Sequence, residues 1–138
     1  MEASFRNVIV QSNVVGSRVY SSIPLNATYP LVLYEVVDKD YYNTRMEADS
    51  TPGIITVHGA IETMHMYLVK LSILGQDKSE VRVTRDALEP YINGFHGISL
   101  NDELAIMIDD YRVETRATDA NYEVGAFDLT VFHKDQGD

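Results

Sequence analysis

Four histidines (His58, His65, His96 and His133) and two acidic pairs are the side chains of this sequence best suited to chemistry. His65 closes a Glu62-x-x-His65 spacing, which on a helix turns both side chains to one side and can hold a di-iron centre. Glu62 to Leu74 reads instead as a β-strand, where positions i and i+3 face opposite ways. Asp38-Lys39-Asp40 opens like a calcium loop, but Asn43 stands where that loop needs glycine and no glutamate stands at its twelfth position. Asp109 and Asp110 are neighbours in a strand, so they are expected to face apart and cannot share a proton as a catalytic dyad would. No H-E-x-x-H, G-x-S-x-G or phosphate-cradling loop occurs. Asn26-Ala27-Thr28 fits a glycosylation acceptor, which has meaning only in a secreted chain. These residues support neither catalysis nor a bound metal or cofactor, and the expectation is that the protein is not an enzyme.

Composition narrows the class further. A chain of 138 residues, 45% hydrophobic and 23% charged, matches one globular domain large enough to bury a core. No apolar run approaches the roughly 18 residues that span a bilayer; the longest, Met64 to Leu74, is interrupted by Lys70 and Ser72. The start, Met-Glu-Ala-Ser-Phe-Arg, lacks the pattern of a secretory signal, so folding in a cytoplasm is expected. Absence of cysteine removes disulfides, thiolate nucleophiles and sulfur-ligated zinc. The net charge of −10 comes from 21 acidic and 11 basic residues, with the basic ones scattered singly rather than clustered for phosphate binding. Such acidity suits solubility, and equally a surface that nucleic acid must pass without sticking.

The elements that would position these groups follow from periodicity. Phe5, Val8 and Ile9 mark a short amphipathic helix from Glu2 to about Ser12. Leu31 to Val37 reads as a strand behind Pro30. Asp38 to Gly59 is a polar stretch containing Tyr41-Tyr42, a Thr51-Pro52-Gly53 turn and a strand candidate at Ile54 to Val57. It reads as an extended arm or hairpin, because a structureless loop of that length is unusual in a compact domain. Glu62 to Leu74 is the strongest strand, with Thr63, His65, Tyr67, Val69, Leu71 and Ile73 on one face, and Met64, Met66, Leu68, Ser72 and Leu74 on the other. Asp77 and Glu80 form a capping box for a helix carrying Val81, Ala87, Leu88 and Ile92, in which Pro90 is expected to kink the last turn before Asn93-Gly94. Leu104 to Ile108 and Tyr111 to Glu114 form a long strand or a bulged pair. After a turn at Thr118 to Asn121, Val124 to Lys134 is the last strand, with Phe127, Leu129 and Val131 on one face. The expected fold is one α+β domain over residues 1–138, an antiparallel sheet with helices packed on one face and a long arm at 38–59.

Two features point to assembly. Both faces of the strand at 63–74 are apolar, and helices can cover only one of them, leaving the other for a partner or for the arm folded back. Tyr41, Tyr42 and Met46 stand in a polar arm, and such residues are enriched at interfaces; a local cluster against the arm's own base is the alternative.

Several segments, taken in order, resemble the small tail-completion proteins of long-tailed bacteriophages and their tail-terminator relatives. They are Gly16-Ser17-Arg18-Val19-Tyr20, Tyr29-Pro30-Leu31-Val32-Leu33-Tyr34, the strand Met66 to Leu74, the helix with Leu88 followed by Gly94-Phe95-His96-Gly97, and Ala126 to Phe132. The resemblance covers nearly the whole chain. It implies a non-catalytic virion subunit, made in the host cytoplasm, that caps the tail tube and joins it to the head connector or head-closure protein. It also implies a homo-oligomeric ring, a hexamer in this family, whose lumen passes DNA without specific binding. The arm at 38–59 is longer than the family's usual form. The residues expected at the subunit interface are Tyr41, Tyr42, Arg45, Met46, Met64 and Met66, and those facing an acidic lumen are Asp109, Asp110 and Asp119.

Two other classes compete. An acidic adaptor or inhibitor, binding one protein partner as a monomer or dimer, would use the charge as nucleic-acid mimicry, although its acids are spread out rather than striped. A small-molecule-binding domain would need a pocket with convergent polar groups, which the sequence does not offer.

Overall fold

The computed structural model describes residues 1–43, 63–115 and 120–135. Their elements run α1 (Glu2–Gln11), β1 (Val19–Tyr20), β2 (Leu31–Asn43), β3 (Thr63–Gly75), α2 (Lys78–Ile92), β4 (His96–Ser99), β5 (Asp102–Glu114) and β6 (Glu123–Asp135). The strands form one six-stranded sheet in the order β1-β2-β3-β6-β5-β4. Strand is the dominant element, and the mixture of sheet and helix is consistent with α+β.

The sheet is mixed rather than antiparallel throughout, because β1 pairs parallel to β2 (Val19 with Val32, Tyr20 with Leu33). The connection from Ser21 to Pro30 is long enough to return the chain to its starting end, so the two strands run the same way. The polar stretch from Asp38 to Asn43, expected to begin an arm, continues β2 and pairs with Leu68 to Thr63 of β3. It is polar because β1 covers only the start of β2, and charged residues suit an edge strand. The rest of the expected arm, with the strand candidate at 54–57, lies outside the described residues, as do the first two residues of the turn at 118–121.

α1 forms despite the β-branched run Val8-Ile9-Val10. Lost helix propensity there amounts to a few tenths of a kcal/mol per residue. Val8 and Ile9 are 2% and 0% exposed, and each such burial contributes roughly 1.5–3 kcal/mol, so packing wins. Polar bonds tie α1 to both edges of the sheet. Toward β1, the Arg6 guanidinium donates to Val19 O (2.9 Å) and Ser17 O (3.1 Å). Toward β4 and β5, Ser99 donates to Ser4 O (2.8 Å) and Ser4 donates to Asp102 Oδ2 (2.6 Å). One helix about 10 Å across reaches both outer strands, so the sheet must curl around it.

Two bulges contribute to that curl. They fall at Val36/Asp38 in β2 and at Ile108/Asp110 in β5. Val36 pairs with Val69, Val69 with Leu129 and Leu129 with Ile108, so both bulges flank a single row across the sheet. Each bends its strand and strengthens the local twist.

α2 is capped as its sequence demands: Asp77 accepts from Glu80 N (2.8 Å), and Glu80 in turn accepts from Gln76 N (2.7 Å). The helix continues through Pro90 to Ile92. Ala87, one of the apolar residues this helix carries, is exposed, whereas Thr84 is buried and donates its hydroxyl to Glu80 O (2.8 Å). Gly94, at φ 78°, supplies the left-handed residue that turns the chain toward β4. The β4–β5 hairpin closes through Leu100 and Asn101, both at positive φ, the pattern of a tight I′ turn.

Phe5, Val8 and Ile9 of α1 and Val81, Leu88 and Ile92 of α2 share one core cluster with Leu71, Ile73, Phe127, Leu129, Val131, Leu104 and Ile106. Those strand residues alternate along β3, β6 and β5, so the core lies on one side of the sheet, called the inner face below.

Candidate functional site

At one end of the inner face the apolar core gives way to a polar cluster. His65 and His133 stack with ring centroids 6.1 Å apart, and Tyr67 meets His133 edge-on at 6.1 Å. Lys39 Nζ lies 5.5 Å from the centre of the Tyr67 ring. Nε2 of His133 is 3.2 Å from Asp102 Oδ2, an oxygen that already accepts from Ser4. The Ser4 bond, more than the contact with His133, holds the Asp102 carboxyl below its ordinary range. His65 is held below the usual imidazole value, first by burial and then by the positive field of Lys39, His133 and the amino terminus.

Serine, histidine and aspartate invite comparison with acyl-transfer chemistry, and the connectivity argues against it. In a working triad the imidazole lies between the serine and the carboxylate. Here the Ser4 hydroxyl bonds the carboxylate directly, and Ser4 is 2% exposed, beyond reach of a substrate. The cluster is a joint that fastens α1 to β5. No grouping of three or more metal-ligating side chains occurs among the described residues, and no helix among them is long and apolar enough to cross a membrane.

The outer face divides into two halves. Toward the end where β2 begins, Leu31, Leu74 and Ala126 are buried and charged pairs flank them: Lys70 pairs with Glu114 at 2.9 Å, and Arg112 contacts Glu114 at 3.4 Å and bonds Asp128. These pairs are partly solvated, and such bridges contribute about 1 kcal/mol or less each. Toward the other end the face is apolar. Strand register sets Leu68, Thr130 and Met107 in one row and Met66, Phe132 and Ala105 in the next. Leu68 and Met107 are 39% and 52% exposed. A cavity of about 320 Å³ opens beside them, lined by Met64, Ala105, Phe132 and His133 with His96, Glu103 and Lys134 at its polar boundary. His96 and Glu103 pair at 3.3 Å, and Lys134 stands opposite Glu103 in the register.

The structure brings Met64 and Met66, expected at an interface, onto this apolar half as partly buried residues. Tyr41 and Tyr42 pair in backbone register with His65 and Met64. Arg45, Met46 and Asp119 lie outside the described residues. Asp109 and Asp110 were expected to face apart, and the bulge overturns that. Asp109 accepts from the Thr130 hydroxyl (2.6 Å) while Asp110 pairs with Asp128, and Thr130 and Asp128 both alternate with buried inner residues, so both aspartates belong to the outer side.

Ser4 and Asp102 were not singled out in the sequence, and neither was the apolar contribution of Ala105, Met107 and Phe132. Alternation along β5 and β6 carried the signal for the last three. Nothing in the sequence marks a serine on α1 as the partner of an aspartate so far along the chain.

No family model and no curated protein matches the sequence. Among solved structures, a chain from the virion of a native gene transfer agent particle superposes with a TM-score of 0.61, over 96% of each chain at 9% identity. At that identity the likeness establishes a shared fold.

Proposed function

We propose that this chain is a structural subunit of a tailed-phage virion, which caps the tail tube and joins it to the head connector or head-closure protein as a ring, without catalysing a reaction. The observation that carries this reading is the fold shared, over 96% of both chains, with a chain from a gene transfer agent virion. The outer face supports it. Apolar area beside the Met64 cavity has no covering element among the described residues, and in a monomer a patch of this kind marks a protein-contact surface. A closed ring requires two different patches that meet, and a curled sheet with chemically distinct halves supplies unlike surfaces. The surplus of acidic over basic residues, 21 to 11, suits a lumen that DNA crosses without being gripped. Asp109 and Asp110 on the outer side are the described residues proposed for that role.

The test is electron microscopy of particles assembled without this protein. Filled heads and separate tails are the expected result. Intact, infectious particles would refute the assignment.

A further inference from the structure

The connection between β1 and β2, Ser21 to Pro30, contains no charged residue in a chain of net charge −10. Its middle is Ile23-Pro24-Leu25, and Leu25 is 94% exposed while Ile23 is 44% exposed. The segment is anchored nonetheless: Tyr29 stacks on Tyr122 at 6.1 Å, and Arg18 Nε donates to Pro30 O at 2.8 Å. An anchored loop that holds a leucine almost wholly in water is a knob awaiting a socket.

The cavity beside Met64 has matching chemistry. Met64, Ala105 and Phe132 supply its apolar lining beside His133, and its charged boundary is internally balanced, with Glu103 set between His96 and Lys134. Two copies of so acidic a chain repel over most of their surfaces. Contact is least costly where charge is absent, as on the loop, or compensated, as at the cavity. Both are also apolar, so their union removes hydrophobic area from water.

The knob cannot fill the cavity of its own chain. Tyr122 lies just beyond the β3–β6 pairing at Gly75–Glu123, whereas Met64 is near the opposite end of β3. At ~3.3 Å per residue the strand between them spans roughly 35 Å. Four residues separate Leu25 from Tyr29 and reach about 14 Å at most.

We infer that the Ile23–Leu25 knob of one copy of this chain inserts into the Met64/Ala105/Phe132 cavity of the next copy. The inference rests on the ring reading above and supplies its unlike pair of patches. Repetition of one knob-into-cavity contact is heterologous, and it closes if the rotation allows.

The chain has no cysteine, so introduced thiols report position without background. A Leu25→Cys/Ala105→Cys double variant treated with a short bismaleimide should give a ladder of covalent oligomers, whereas each single variant should stop at dimer or below. Leu25→Glu should keep the wild-type melting temperature, since the residue is in water, and weaken self-association by about tenfold or more. No ladder, or unchanged assembly of Leu25→Glu, overturns the inference. Wild-type rings that persist in Leu25→Glu would leave the ring reading standing and remove only this contact. A wild-type protein that stays monomeric and fails to join tails would remove both. Loss of incorporation into particles by Ala105→Arg, with Leu25→Glu incorporated normally, would assign the cavity to another virion protein and likewise overturn the inference.

Discussion

His65 and His133 face each other across the β3–β6 pairing, with ring planes inclined by 29° and centroids 6.1 Å apart. Lys39 of β2, Tyr67 of β3, Asp102 of β5 and the amino terminus ahead of α1 surround the pair, and Tyr41 stands opposite His65 in the register. Two imidazoles and two ammonium groups thus meet on the inner face beside the Asp102 carboxylate, which makes this end of the sheet sensitive to protons.

The first consequence is a pH dependence of stability. Burial, then the Lys39, His133 and amino-terminal charges, hold His65 below its ordinary value of 6.5. Below that value the unfolded chain takes up a proton more readily than the folded one. Stability is therefore full above about pH 6.5 and falls as pH drops, until the folded imidazole also titrates. Thermal melts between about pH 7.5 and 5 should show the decline, and His65→Gln should flatten it. An equal slope in the variant would contradict the account.

Asp102 acts in a separate, more acidic window. The Ser4 hydrogen bond holds its carboxyl below the usual 3.8, so its contribution is present above that value and disappears as pH falls through the folded one. At neutral pH, Ser4→Ala should cost about 1–2 kcal/mol in urea denaturation, because a charged acceptor loses its donor and α1 loses a tie to β5. A matched loss from Arg6→Ala, which frees α1 from β1 instead, would show that both sheet edges depend on the helix.

Gly125 is required by close approach. A methyl group there would overlap the Tyr111 hydroxyl and lie 2.9 Å from its Cζ and 3.0 Å from Val81 Cγ1. The Tyr111 ring cannot swing freely, since it packs on Phe127 at 4.9 Å and beneath the Arg85 guanidinium at 5.0 Å. Gly125→Ala should destabilise by about 1–3 kcal/mol, and Tyr111→Phe in the same chain should recover part of the loss. Full additivity of the two changes would place the clash elsewhere.

The two faces of the sheet should respond oppositely to truncation. Leu129, 1% exposed on the inner face, should cost about 2–5 kcal/mol as Leu129→Ala. Met107, half exposed on the outer face, should leave stability within about 0.5 kcal/mol as Met107→Lys yet, on the proposed virion role, weaken attachment to neighbouring subunits. Denaturation curves and sedimentation of reconstituted particles separate the effects. Normal attachment of Met107→Lys would remove this part of the outer face from the proposed interface.

By itself the sequence determined the longer elements, because periodicity, capping and turn chemistry are local properties, whereas the short β1 and β4 carried no such signal. The i, i+3, i+4 stripe of α1, the Asp77/Glu80 box and the alternation around Phe127, Leu129 and Val131 each predicted an observed element. Only tertiary structure decided the rest. The parallel entry of β1 depends on where a loop returns, and the polar end of β2 is a strand because β3 offers it hydrogen bonds. A single extra residue at Asp109 turned two aspartates to the same side, a shift that alternation cannot foresee. The Ser4–Asp102 joint and the separation between the Leu25 knob and the Met64 cavity arise from contacts between residues distant in the chain, which no local pattern encodes.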